Sequence, residues 1–271
     1  MMLTTADKRA AFKKLHESGC FIIPNPHDAG TARALQHLGF KALASTSAGF
    51  AWTMAKPDNR VTVDDVCDHL SAIGAAVDIP VNADFEDGFA HEPDKVGVNV
   101  ARAVKTGVAG LSIEDYTGDA ANPLFERALA VDRIKAARKA IDADNSGVLL
   151  TGRCEAFLRG QKDLNLVIDR LTAYAEAGAD CLYAPGISTS EEISAVVKAV
   201  HPRPVNLLVF GMDHSLANAA ALGVRRISVG GSLSRMAWAG FMKAAKEMAE
   251  KGTFTEFANG YPGGELNKMF S

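Results

Sequence analysis

One repeating pattern constrains this chain more than any single motif. Eight short runs rich in Val, Ile and Leu occur at residues 20–26, 41–47, 79–85, 108–115, 147–157, 180–186, 204–211 and 225–231. Each is too short for a typical helix. Each is nearly continuous in apolar character rather than alternating, as a strand covered on both faces reads. Between them lie segments of helical period, such as "DAGTARALQHLG" after the first run and "DLNLVIDRLTAYAEAG" before the sixth. Gly39, Gly107, Gly178 and Gly223 each stand just before a run, where a left-handed glycine closes a helix and turns the chain. Strands alternating with helices predict a parallel sheet. Eight such units in about 250 residues fit a (β/α)8 TIM barrel, an α/β fold. An open doubly wound sheet is the rival. It would carry a glycine-rich turn after the first strand, and "PNPHDAG" contains no GxGxxG. With no linker or low-complexity tract, residues 1–271 read as one domain.

Composition removes several classes of function. Apolar residues at 48% and charged residues at 23% suit a globular protein with a real core. A net charge of -3 leaves no basic footprint for nucleic acid. Cys20, Cys67, Cys154 and Cys181 are scattered without a CxxC pair, which predicts a reducing, cytoplasmic location. The N-terminal "MMLTTADKRAAFKKLHESG" is polar and helix-like, with no apolar signal core. No apolar run approaches the ~20 residues that a membrane-spanning helix needs.

The informative polar residues fall at the C-terminal ends of the predicted strands, where barrels of this kind place their chemistry. The first strand ends at Asn25, His27 and Asp28, the second at Thr46 and Ser47, the third at Asp84 and Glu86, and the fourth at Glu114 and Asp115. The fifth carries Arg153 and Glu155, the seventh Asn206, and the eighth leads through "GGSLSR" to Arg235. Some have ordinary structural readings. Asp28 suits a helix cap, Asp87 a loop charge or cap, His27 a packing group, and Arg153 a partner for Glu155. Asp84, Glu86 and Glu114 resist that reading. They end adjacent strands, so their charges would repel inside one mouth unless something positive offsets them. A hard divalent cation held by carboxylates and water would do so, Mg2+ first and Mn2+ next. The cysteines and histidines show no repeated ligand spacing of a zinc site.

The pieces "PNPHDAG", "STSAGFA", "PDNRVTVDD", "NADFEDGFA", "LSIED", "GRCEAF" and "SRMAWAGF", in this order from Phe21 to about Lys243, resemble the isocitrate lyase and phosphoenolpyruvate mutase superfamily. The resemblance implies a barrel whose last helix is exchanged with a neighbouring subunit, in dimers or tetramers. It implies Mg2+ near Asp84, with Glu86 and Glu114 acting largely through water. It implies a 2-oxo acid substrate whose carboxylate meets the backbone of Thr46, Ser47 and Ala48 and the side chain of Arg153. Asp58 matches an acidic position on a mobile loop beside the site, and Asn122 a retained position in the loop after strand four. Asn206 is expected to contact substrate because strand seven carries it toward the same mouth.

Departures from the family narrow the chemistry. Isocitrate-type lyases carry a "KKCGH" or "KRCGH" loop after strand four. This chain has "DYTGDAANPLFERA" there, with no Cys. Phosphonopyruvate enzymes place a Lys two residues before the Asn in that loop and a His after strand six. Here Ala120 and Pro185–Gly186 occupy those places. The expected activity is therefore a Mg2+-dependent lyase reaction on a small 2-oxo dicarboxylate through an enolate, with decarboxylation of an oxaloacetate-like acid the simplest case. The alternatives are C–P bond chemistry, with "GGSLSR" read as a phosphate cradle, and non-catalytic binding of a 2-oxo acid. The segment 236–249 is apolar over much of its circumference, the tail adds Phe254, Phe257, Tyr261, Met269 and Phe270, and 236–271 is expected to pack on another subunit of a homodimer or homotetramer.

Overall fold

The computed structural model describes residues 3–211 and 214–271. Its sheet has eight parallel strands: β1 (Phe21–Ile23), β2 (Leu43–Ala44), β3 (Val81–Asp84), β4 (Gly110–Glu114), β5 (Leu149–Arg153), β6 (Cys181–Tyr183), β7 (Val205–Leu208) and β8 (Arg226–Ser228). All eight fall inside the runs picked out above. Strands β2 to β8 pair in sequence and β8 pairs with β1. The remaining seam, between β1 and β2, is bridged by the Ala44 N–H donating to Pro24 O at 3.0 Å. Asn25 reinforces the seam: its Nδ2 donates to Ser45 O at 2.8 Å, and its Oδ1 accepts the N–H groups of Val229 and Gly230. One buried side chain thus ties β1 to the ends of both neighbours and completes the (β/α)8 barrel.

The helices are α1 (Thr5–Leu15), α2 (Ala29–His37), α3 (Ser47–Thr53), α4 (Val63–Ala76), α5 (Pro93–Lys105), α6 (Arg127–Ala143), α7 (Leu164–Glu176), α8 (Ser190–Val200), α9 (Leu216–Ala221), α10 (Ser232–Lys251) and α11 (Gly263–Phe270). Their starts follow from local chemistry. Thr4, Asp28, Thr62 and Thr189 close capping boxes with the third residue of their helices, as was expected of Asp28. The apolar faces of α4 to α8 bury against the outside of the sheet, with Val96, Val100, Ile134, Ala137, Val167, Leu171 and Val196 in one continuous core. Fully burying each such aliphatic side chain contributes about 1.5–3 kcal/mol. Helix α1 lies at the N-terminal ends of the strands, where Phe12 packs with Ile23, Ala42, Ala109 and Leu149.

Two features matter for the site. The connection from β4 to α6 is no open loop: Tyr116 and Leu124 form an antiparallel bridge, and Thr117 N–H donates to Pro123 O at 3.0 Å. Beyond β8, α10 carries Met236, Trp238, Phe241 and Met242 exposed, with Phe254, Phe257, Tyr261 and Phe270 exposed after it. No helix among the described residues is long and apolar enough to cross a membrane. The four cysteines are free thiols.

Candidate active site

The run from Val81 to Gly88 passes from a core strand straight into carboxylates, and side-chain alternation explains how. Ala83 and Phe85 are fully buried in the apolar shell, while Asp84 turns inward and lines the barrel cavity. The chain then turns sharply. Glu86, Gly88 and Phe89 all have positive φ, at 46°, 77° and 55°. At Gly88 the left-handed conformation favours glycine, and a Cβ would lie 3.0 Å from Val96 Cγ1, which would have to give way. Left-handed backbone at Glu86 and Phe89 costs about 1–2 kcal/mol each. Strain of this kind collects at functional sites. The turn is held from behind by Arg133, a buried guanidinium on α6. It donates to the carbonyls of Asp87, Ala90 and His91 and lies 4.0 Å from the centre of the Phe125 ring. Asp87 is a local cap, accepting the Phe89 N–H at 2.8 Å.

A cavity of about 220 Å³ opens at the C-terminal end of the barrel. Thr46, Ser47, Ala48, Asp58, Asp84, Arg153 and Asn206 all line it, so seven of the sequence-predicted site residues meet there. Thr46 caps α3, its Oγ1 accepting the Gly49 N–H at 3.3 Å. The Ser47 N–H donates to Asp84 Oδ2 at 3.0 Å, and the Asp84 N–H donates to Ser45 Oγ at 2.8 Å. Glu86 and Glu114 line an adjoining hollow of about 130 Å³, with Asn59, Asp87 and Tyr116. Asn122 stands apart from both. It is exposed on the β4–α6 connection, its Nδ2 3.4 Å from Asp119 Oδ2.

Arg153 joins the two spaces. Its Nη1 lies 3.3 Å from Asp84 Oδ1 and 3.3 Å from Glu114 Oε2, and its Nε donates to Glu155 Oε1 at 2.6 Å. The Tyr183 ring lies beside the guanidinium, with its centre 5.2 Å from Cζ. Burial opposes the Arg153 charge, yet Glu114, Glu155 and Asp84 outweigh it and hold the pKa well above the ordinary value. Burial drives Glu114 well above the usual carboxylate range, with Arg153 offsetting part of the effect. Burial likewise pushes Glu86 up to about 8, against the hydrogen bond from Asn59. Asp58 is exposed at the rim, but its carboxyl is crowded by the mouth. Loss of water and then the nearby Asp84 raise its pKa.

These properties bear on a metal. Asp84, Glu86 and Glu114 offer hard oxygen donors, and Glu86 Oε1 is buried with no hydrogen-bond partner. Among the described residues no three acidic, His or Cys side chains converge closely enough to ligate a metal directly. The set therefore fits a hydrated hard cation such as Mg2+, held by one carboxylate and otherwise through water. It does not fit zinc.

The cavity floor holds groups that the sequence reading passed over. Arg226 is only 3% exposed. Its Nε donates to Asn206 Oδ1 at 2.8 Å and its Nη2 to Thr151 Oγ1 at 3.0 Å, while Nη1 faces His16 Nε2 at 3.3 Å. Asn206 Nδ2 in turn donates to Ser228 Oγ at 2.9 Å. A charge at the first position of the strand within the run "RRISVGG" was the available signal. At the mouth, Gly230, Gly231, Ser232 and Arg235 line the cavity together with the apolar Leu158, Leu208 and Phe210, the last two packed beside Gly230. The N–H groups of Val229 and Gly230 are already taken by Asn25.

Comparison with known proteins places the site in context. The family model for phosphoenolpyruvate phosphomutase matches residues 12–249. A 2,3-dimethylmalate lyase of Eubacterium barkeri is 30% identical over 192 residues, 66% of this chain and 63% of that protein. An oxaloacetate decarboxylase of Pseudomonas aeruginosa is 29% identical over 231 residues, 80% of this chain and 77% of that protein. Among solved structures, a Burkholderia cenocepacia protein of provisional lyase/mutase assignment superposes with a TM-score of 0.94 at 47% identity, covering 98% of this chain and 96% of that one. An oxaloacetate acetylhydrolase bound to its product oxalate superposes with a TM-score of 0.87 at 25% identity, covering 99% and 94%.

Proposed function

The chain belongs to the phosphoenolpyruvate mutase and isocitrate lyase superfamily, and from that premise we propose that it is a Mg2+-dependent lyase acting on an oxaloacetate-like 2-oxo dicarboxylate. The observation that carries this reading is Arg153, set between Asp84 and Glu114 at the edge of the cavity that Thr46, Ser47 and Ala48 also line. The metal, held by Asp84 with Glu86 and Glu114 behind water, would act as a Lewis acid toward the 2-oxo group.

The chain's own residues do the rest. The substrate carboxylate lies against the start of α3, where Asp84 holds the Ser47 N–H and Ala48 lines the cavity. Arg153 donates to the oxygen on which negative charge grows as the bond at C3 breaks. Asp58 at the mouth returns a proton to C3 once carbon dioxide has left. The β4–α6 connection covers the site and excludes water, and Asn122 travels with it. Asn206 is held by Arg226 and Ser228 and lines the inner end of the substrate space.

Two observations favour a carboxylate at C3 over a phosphonate. Beyond β6 the chain offers Gly186, against which Phe157 and Leu158 pack, rather than a cation. At the end of β8, two of the N–H groups that a phosphate would need are committed to Asn25. Turnover separates this reading from C–P chemistry and from non-catalytic binding: pyruvate should appear from oxaloacetate with Mg2+ and not after chelation. The exposed face of α10 and the tail beyond it supports assembly into a dimer or tetramer, with this helix as the exchanged element.

A further inference from the structure

Arg153 is not oriented by the cavity alone. Its Nη1 is contested by two carboxylates at equal distance, and the short contact is the one from Nε to Glu155. Glu155 is fully buried, and its second oxygen lies 3.0 Å from Arg159 Nη2. The Arg159 guanidinium in turn lies over the Tyr116 ring, 3.4 Å from its centre. Tyr116 begins the β4–α6 connection and bridges to Leu124 on its returning arm. The Glu155 backbone is anchored separately: its N–H donates to Asp115 Oδ1 at 2.7 Å, while Asp115 Oδ2 accepts from Tyr174 and Arg170. The side-chain path from Tyr116 to Arg153 is therefore distinct from the scaffold beneath it.

We propose that Tyr116 and Arg159 are positioning residues that couple the β4–α6 connection to Arg153. The Tyr116 ring fixes the plane of Arg159 by stacking. The Arg159 charge holds one oxygen of Glu155 as an ion pair without a hydrogen bond, and Glu155 then fixes the direction of the Arg153 guanidinium through a charge-assisted bond. When the connection is displaced, the path loosens, Nε is released from Glu155, and the guanidinium turns fully onto the Asp84 and Glu114 carboxylates that its Nη1 already faces. When it is seated, Arg153 is held for substrate. This inference rests on the reading above that Arg153 acts on the substrate.

The test compares Tyr116→Phe, Tyr116→Leu, Arg159→Met and the Tyr116→Leu/Arg159→Met double variant. Each is checked for native circular dichroism, then assayed for pyruvate release from oxaloacetate with Mg2+ and for amide exchange over residues 117–125. Phe keeps the ring and should stay within about twofold of the unsubstituted protein. Leu and Met should each lower kcat by roughly tenfold or more and leave KM nearly unchanged, because an interaction made only in the transition state is lost. The double variant should be no worse than the poorer single, since both cut one path. Losses that multiply in the double variant, or unchanged kcat in both singles, overturn the proposal. If the unsubstituted protein releases no pyruvate, the functional reading fails instead. The path is then judged by exchange alone: faster exchange over 117–125 in Arg159→Met sustains it, and unchanged exchange overturns it.

Discussion

The Asp84 carboxylate accepts the backbone N–H of Ser47 at 3.0 Å, tying the end of β3 to the first turn of α3. The group proposed to hold the metal and the backbone proposed to hold the substrate carboxylate are thus one unit. A change at Asp84 reaches both. Asp84→Ala should remove Mg2+-dependent turnover by at least about a hundredfold, as expected for loss of a group that organises transition-state charge. Its circular dichroism should stay native, because Asp84 packs no core. Mg2+ should raise the melting temperature of the unsubstituted protein and not of Asp84→Ala. Glu86→Gln should lower Mg2+ affinity about 10- to 100-fold, the range for groups that act behind the first ligand. Equal melting shifts in all three proteins would remove the metal assignment.

The β4–α6 connection, residues 115–127, should become more protected when Mg2+ and a 2-oxo dicarboxylate are both added. Gly118 has φ of 82° and open space around it, and the tip from Asp119 to Asn122 is exposed. Hydrogen exchange measures this directly. Exchange unchanged at saturating ligand would count against a closing role.

Acid should destabilise the fold through His16. Burial, and then the adjacent Arg226, depress its pKa to about 3, while its Nδ1 bonds to Phe12 O. Above pH 6.5 the ring is neutral in both folded and unfolded chains, and its contribution to stability is intact. As pH falls from 6.5 toward 3, the unfolded chain takes up a proton that the folded chain refuses. Stability then falls by about 1.4 kcal/mol per pH unit. Urea unfolding at pH 7 and pH 5 should show this loss, and His16→Gln should lose roughly 2 kcal/mol less over that interval. Equal losses in the two proteins would show that the ring is protonated in the fold.

Met236 and Phe241 on α10 are 71% and 62% exposed, and the segment beyond them adds four more exposed aromatic rings. A surface this apolar belongs at an interface. Sedimentation at micromolar concentration should give a dimer or tetramer, and Trp238→Glu with Phe241→Glu should shift it toward monomer. A monomeric unsubstituted protein would contradict the assignment.

Much of the barrel was legible because burial on both faces leaves a local imprint. Each strand advertises itself without reference to its neighbours. The strand-end acids were legible for the same reason, since charge in a core strand is conspicuous. Helix α3 was not, because its seven residues, "SAGFAWT", span barely two turns and the Thr46 cap looks like loop chemistry. The Arg226 hub and the Arg133 clamp were hidden for a different reason. Arg226's partners are Asn82, Thr151 and Asn206, brought together by closure of the sheet, and Arg133's are three carbonyls of the β3–α5 connection, brought to it by the packing of α6 beside α5. Asn122 shows the reverse limit: a motif position could be assigned, but nothing in sequence spacing says whether its side chain reaches the cavity.

Specificity is the most direct test of the whole account. Gly186 beyond β6, Ala120 in the β4–α6 connection and Asn25 occupying the backbone at the end of β8 are the features on which the proposed preference for a carboxylate over a phosphonate dianion rests. Oxaloacetate and phosphonopyruvate should be assayed side by side with Mg2+ and with chelator. The account predicts Mg2+-dependent pyruvate release with kcat/KM for oxaloacetate at least about tenfold higher, a difference of about 1.4 kcal/mol in transition-state stabilisation. A higher kcat/KM for phosphonopyruvate, or turnover of oxaloacetate that chelation leaves untouched, would contradict it.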